Sequence, residues 1–171
     1  MCRDEVDSGP EEDLVALAKA QGLSNEEMAG LLLQIIDEGL AENADSNQRY
    51  MADCALWGLV PFAGEKELAF IRELMRTTKD VKGIRRTAIM VGPRIAPEKW
   101  EELLREVVAD KRSDDFDRFL VCREAFQVAR AGDKKTQRRV VEVFGEMKAR
   151  GVSESNQKHL EKWIGELEKM P

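Results

Sequence analysis

The sequence predicts an all-α protein, a short solenoid of about four to five stacked helix pairs. Three observations predict it. A turn recurs, as Ala63-Gly64-Glu65-Lys66, Ala96-Pro97-Glu98-Lys99 and Ala131-Gly132-Asp133-Lys134, at spacings of 33 and 35 residues. Apolar positions keep the first interval: Ala55/Leu56 match Ala88/Ile89, and Phe70/Ile71/Leu74/Met75 match Leu103/Leu104/Val107/Val108. Only 6% of residues are aromatic, and Val, Ile and Thr rarely alternate with polar residues, so strands find little support. One helix pair cannot bury its apolar face alone, so a period in this range implies stacking.

Taken in order, residues 1–10 (MCRDEVDSGP) are polar and unpatterned and read as a disordered acidic leader; residues 11–171 read as a single helical-repeat domain. A first helix is expected from about Glu11 to Gln21, with Leu14, Val15, Leu17 and Ala18 on its apolar side and Gly22 ending it. Ser24 and Glu27 have capping-box spacing ahead of a helix carrying Met28, Leu31, Leu32, Ile35 and Ile36. This pair is expected to cap the N-terminal end of the stack. The next helix spans about Ser46 to Phe62, with Pro61 at its end, and Pro93 lies 32 residues later at the end of the equivalent helix. Glu65, Glu98 and Asp133 start the following helices, where acidic groups suit the positive end of the helix dipole. A helix from about Pro97 to Lys111 carries Trp100, Leu103, Leu104, Val107 and Val108. Ser113 or Asp114 caps a helix to Ala131, and its partner runs from Asp133 to Arg150 with Val140, Val141, Phe144 and Met147. The third copy is imperfect, because its apolar pairs fall 37 residues after their counterparts while its turn falls 35 after. After Gly151 a last helix places Leu160, Trp163, Ile164 and Leu167 at i, i+3, i+4 and i+7, as a terminal cap should.

At 171 residues the chain is long enough to bury roughly 70% of its unfolded surface. Its net charge of −6 is unevenly spread: residues 1–48 hold 2 basic and 12 acidic groups, residues 49–171 hold 25 and 21. No run approaches the length of a membrane span and no signal peptide is recognisable. Cys2, Cys54 and Cys122 lack metal-ligand or redox spacing; Cys54 and Cys122 read as small buried hydrophobes, and the expectation is a cytoplasmic protein. The alternative is lipid anchoring at Cys2, if a leader has been removed ahead of it.

The helix starts carry a family resemblance. Asp45–Arg49, Asp80–Arg85 and Asp114–Arg118 each place Asp four or five residues before Arg, and Ala52, Ala55 and Leu56 follow Arg49 while Ala88 follows Arg85. This resembles the D-x-x-x-R-x-x-A-x-x-A-L pattern of HEAT-like (armadillo-type) repeats over roughly Asp45 to Arg150; the third copy lacks the alanines. The resemblance implies a curved, right-handed α-α superhelix in which Asp and Arg link neighbouring repeats and second helices line a concave binding surface. Its members range from protein scaffolds to nucleic-acid binders, so it carries little function by itself.

No chemical signature for catalysis stands out. His159 is the only histidine and reads as a helix-surface residue, since no Ser or Cys nucleophile has a recognisable setting. Asp114, Asp115 and Asp117 lack the glycine and distal glutamate of a calcium loop and read as helix capping. Gly151–Ser155 lacks the Lys and preceding strand of a phosphate loop. Trp57, Trp100 and Trp163 read as packing residues, with Trp57 the best candidate for a binding groove. Residues 81–151 hold 17 basic and 12 acidic groups, but the interspersed carboxylates suggest paired, solvated faces rather than a phosphate stripe. The expectation is therefore a non-catalytic scaffold with no cofactor and no metal. Lys66, Arg72, Arg76, Lys99 and Arg105, with Trp57, would receive another protein or an acidic peptide; nucleic-acid binding is the alternative function, disfavoured as a partner.

Overall fold

The structure is a computed structural model and describes residues 10–77 and 82–170. The expected leader up to Gly9, with Cys2, and also Asp80 lie outside the described residues. Nine α-helices and one 3-10 turn are formed, and no strand occurs among the described residues. The helices are α1 (Pro10–Ala20), α2 (Asn25–Leu40), α3 (Ser46–Leu59), α4 (Glu65–Thr77), α5 (Lys82–Ile95), α6 (Trp100–Ala109), α7 (Asp115–Ala131), α8 (Lys134–Ala149) and α9 (Glu154–Lys169). They divide into two compact units, one ending at Val91 and one beginning at Gly92.

Local chemistry sets most boundaries. At α2 the Glu27 amide donates to Ser24 Oγ (3.2 Å) while the Ser24 amide donates back to Glu27 Oε2 (2.8 Å), the reciprocal capping box its spacing predicts. The Ser24 amide, and then its hydroxyl, hold the Glu27 carboxyl below the usual range. Asp45 and Gln48 form the same box at α3, and Asp114 and Asp117 form it at α7. Asp133 Oδ1 accepts from the Thr136 amide at 2.8 Å to start α8. Gly22 (φ +69°) and Gly151 (φ +82°) turn the chain in left-handed geometry that side chains resist.

The helix expected over Pro97–Lys111 is shorter. Pro97–Lys99 form a 3-10 turn and the α-helix ends at Ala109. Asp110 ends it by accepting from the Arg112 amide (2.9 Å) and guanidinium (2.7 Å), a local turn that competes with further helix. Pro93 lies inside the last turn of α5, which runs two residues beyond it.

In the first unit the core is a stripe on each helix: Met28, Leu32 and Ile36 on α2, Ala52, Leu56 and Leu59 on α3, Leu68, Ile71 and Met75 on α4, and Ile84, Ala88 and Val91 on α5. Buried Arg85 donates from Nε to the Met75 carbonyl at 3.0 Å, and the Thr87 hydroxyl bonds the Asp53 carboxylate. α2 and α3 cross at Gly39, where a Cβ would lie 2.4 Å from Ala52 Cβ and 2.6 Å from the Gln48 carbonyl oxygen. Only glycine allows that approach.

In the second unit α7 packs against α6, α8 and α9. Trp163 of α9 lies 5.5 Å from Phe126, nearly parallel to it, and within 5.6 and 6.1 Å of Phe119 and Phe144. Trp100 and Trp163 are thus core residues, as expected.

Four apolar assignments need correction. Val15, Leu17 and Leu31, placed on the buried sides of their helices, are exposed. Ala18 faces the core of α1, and residues 15 and 17 lie to either side of the narrow stripe it belongs to. Cys54 is exposed rather than buried, because the buried set of α3 is Ala52, Ala55, Leu56 and Leu59 and residue 54 points off that stripe. Cys122 is buried as expected, and burial pushes its thiol up to about 12, which makes it unreactive at neutral pH.

Candidate functional site

The basic side chains singled out in the sequence fall in both units. Lys66, Arg72 and Arg76 lie on α4, where Leu68, Ile71, Leu74 and Met75 are buried and Phe70 is half-buried. Arg72 and Arg76 are one turn apart and share a flank. Lys66 stands about 120° round the helix from Arg72, at 100° per residue. The structure therefore brings the two arginines together and sets Lys66 apart. Arg76 and Lys66 are exposed and Arg72 is half-buried; Trp57 on α3 is also half-buried.

In the second unit Lys99 ends the 3-10 turn, half-buried, and Arg105 lies on α6 inside an ion-pair cluster with α8. Arg139 grips Glu101 with two bonds, Nε to Oε2 at 2.8 Å and Nη2 to Oε1 at 2.7 Å. Arg105 donates to the same carboxylate from Nη2 (2.8 Å) and reaches Glu146 at 3.2 Å, while Arg139 also reaches Glu142 at 2.9 Å. Three carboxylates thus surround two guanidiniums, so this stretch of the second helices carries no surplus of positive charge. The Arg139 guanidinium first, and Arg105 after it, pull Glu101 down to about 2 against its partial burial. Glu101 in turn raises both arginines above their ordinary range.

This cluster gives a pH signature. Glu101 binds its proton less readily folded than unfolded, so its contribution is fully present above about pH 5 and is lost as pH falls toward 2. Arg105 and Arg139 are 41% and 43% exposed, so solvent screening limits the contribution to about 1 kcal/mol. Urea titrations should show Glu101→Gln less stable than the parent by that amount at pH 7 and indistinguishable from it near pH 2. A difference that grows on acidification would contradict the assignment.

Asp114 and Asp117 cap α7, and no group of three or more His, Cys, Asp or Glu that could hold a metal ion occurs among the described residues. His159 is exposed, its ring edge-on to Phe119 at 4.8 Å. No described helix is long and apolar enough to cross a membrane. Compared with protein-family models, curated proteins and solved structures, the chain matches none of them.

Sequence reasoning missed two features. The first is the Glu101–Arg139 clasp across 38 residues, of which only the Glu101–Arg105 i,i+4 spacing was readable. The second is an open groove of ≈ 360 Å³ between α2 and α3, lined by Ile35, Glu38, Asp45, Asn47, Gln48 and Met51. Its signal was Met51, an apolar residue adjacent to the Ala52 stripe but outside it.

Proposed function

We propose that this chain is a non-catalytic binding scaffold, a HEAT-like stack of helix pairs whose second helices receive another protein or an acidic peptide. The observation that carries the reading is on α4: Arg72 and Arg76 stand one turn apart on one flank of a helix whose Leu68, Ile71, Leu74 and Met75 are buried, and Arg76 is exposed, so the pair offers two neighbouring guanidiniums to an acidic partner. Packing among sequence neighbours supports the stack: α3 meets both α1 and α2, and α7 meets both α8 and α9. Lys66, Lys99 and Arg105 take the same role at their helices, with Trp57 as an apolar contact. At Arg105 an acidic partner must compete with Glu101 and Glu146. That competition also disfavours nucleic acid, because a phosphate backbone would meet the same carboxylates.

A displayed random-peptide library selected on the purified chain should enrich sequences rich in Asp and Glu. Arg72→Glu/Arg76→Glu should keep its helical circular dichroism and bind those peptides about tenfold or more weakly, the loss expected from reversing two interface charges. No enrichment of acidic sequences over the starting library, or acidic peptides that bind the double variant as tightly as the parent, would defeat the proposal. So would tight binding of a nucleic acid with steep salt dependence.

A further inference from the structure

From the groove between α2 and α3 we infer a second docking surface, one that takes an amphipathic helical segment of a partner protein with apolar anchors flanked by Lys or Arg. The inference stands apart from the α4 proposal, and neither result decides the other. Three observations carry it.

The first is shape. The groove is open and of a size that accepts side-chain anchors, and Ile35 and Met51 supply apolar surface on its two walls. The second is the apolar surface beside it. Leu31, one turn before Ile35 on α2, is 50% exposed, and Met51 and Tyr50 on α3 are 51% and 66% exposed. Leu31, Ile35 and Glu38 follow i, i+4 and i+7 on α2, the spacing with which one helix meets another laid along a groove. Methionine, unbranched and polarizable, adapts to more than one anchor.

The third is charge. Residues 25–59 hold seven carboxylates and a single basic residue, Arg49. The two that line the groove are not held by cations: among the described residues Glu38 accepts from the Gln34 side-chain amide (3.1 Å) and Asp45 from the Gln48 backbone amide (2.8 Å). The carboxylates of α6, α7 and α8 behave differently, since Glu101, Glu124, Glu142 and Glu146 all meet arginines. An apolar floor with an unneutralised acidic rim selects a basic, amphipathic occupant and repels an acidic peptide, a nucleic acid or an anionic membrane.

The test uses the full chain and three labelled helical peptides of equal length: an amphipathic Leu/Lys peptide, its Leu/Glu counterpart, and the Leu/Lys composition scrambled to destroy the apolar face. Fluorescence anisotropy should show the amphipathic Leu/Lys peptide binding at least about tenfold more tightly than either control. Leu31→Ser/Met51→Ser, both at exposed positions, should weaken it about tenfold with no change in melting temperature. Glu38→Lys/Asp45→Asn, which keeps a capping side chain at 45, should weaken it as much and flatten its salt dependence. Loss on the charge variant with no loss on the apolar variant would mean unspecific attraction to an acidic protein and would overturn the inference. Equal binding of all three peptides would overturn it too. Self-association of the chain abolished by Leu31→Ser/Met51→Ser would assign the groove to a second copy instead.

Discussion

Removal of the residues from Ser153 onward should leave a chain that aggregates at concentrations where the parent stays in solution. α9 closes the apolar side of the second unit with Leu160, Trp163 and Leu167, all buried, and Asn156 ties it to α7 by donating from Nδ2 to the Asp115 carbonyl at 3.0 Å. A tryptophan of this kind covers about 150–250 Å². At about 25 cal/mol per Å² its loss alone costs roughly 4–6 kcal/mol, a large part of a typical domain's stability. The newly open surface would include Phe126, which stacks on Trp163, Phe144, which meets it at a tilt, and Met147. Trp163→Ala tests the same contact in a chain that keeps the helix, and urea denaturation should show a loss of about 3–5 kcal/mol. A truncated chain with the parent's solubility and urea midpoint would show that α9 is not a cap.

The second large effect lies at Glu124, whose side chain is 1% exposed. Arg94 Nε donates to one of its carboxylate oxygens at 3.0 Å, and Arg123 donates to the other at 3.0 Å from Nε and 2.7 Å from Nη2. A carboxylate taken out of water is tolerable only while such donors compensate it. Arg94→Ala/Arg123→Ala should therefore destabilise the chain by about 3–5 kcal/mol, the cost of stranding a buried charge. Each single variant should cost clearly less than half of that, because one guanidinium remains. Glu124→Leu in the double-variant background should restore much of the loss, since an apolar side chain there needs no donors. Additive single losses, or no rescue by leucine, would show that the pairing is not what holds this position.

The elements were legible because their ends are set by chemistry within four residues. Ser24 with Glu27 and Asp114 with Asp117 declare themselves in any sequence, as do Gly22 and Gly151. Cys54 could have been placed correctly by counting around α3 from Ala52 and Leu56. Apolar neighbours on either side concealed that it lies off the stripe. The Glu101–Arg139 clasp was not legible, because local spacing does not say which residue of one helix faces which of another. The candidate basic residues fared in between. The helical period joins Arg72 to Arg76 and separates Lys66. Whether Arg105 meets a partner or a neighbouring carboxylate depends on the packing of α6 against α8 side chains.

Gly39 lines neither the groove nor any charged cluster, yet the closeness of α2 and α3 rests on its missing side chain. Any larger residue there would have to push Ala52 and the Gln48 backbone away, and Gln48 is itself part of the groove wall. Groove width is thus heritable through a position that never touches an occupant. Drift at residue 39 would alter recognition while leaving every groove-lining side chain unchanged, and an engineer redesigning the groove's specificity would have to hold that glycine constant.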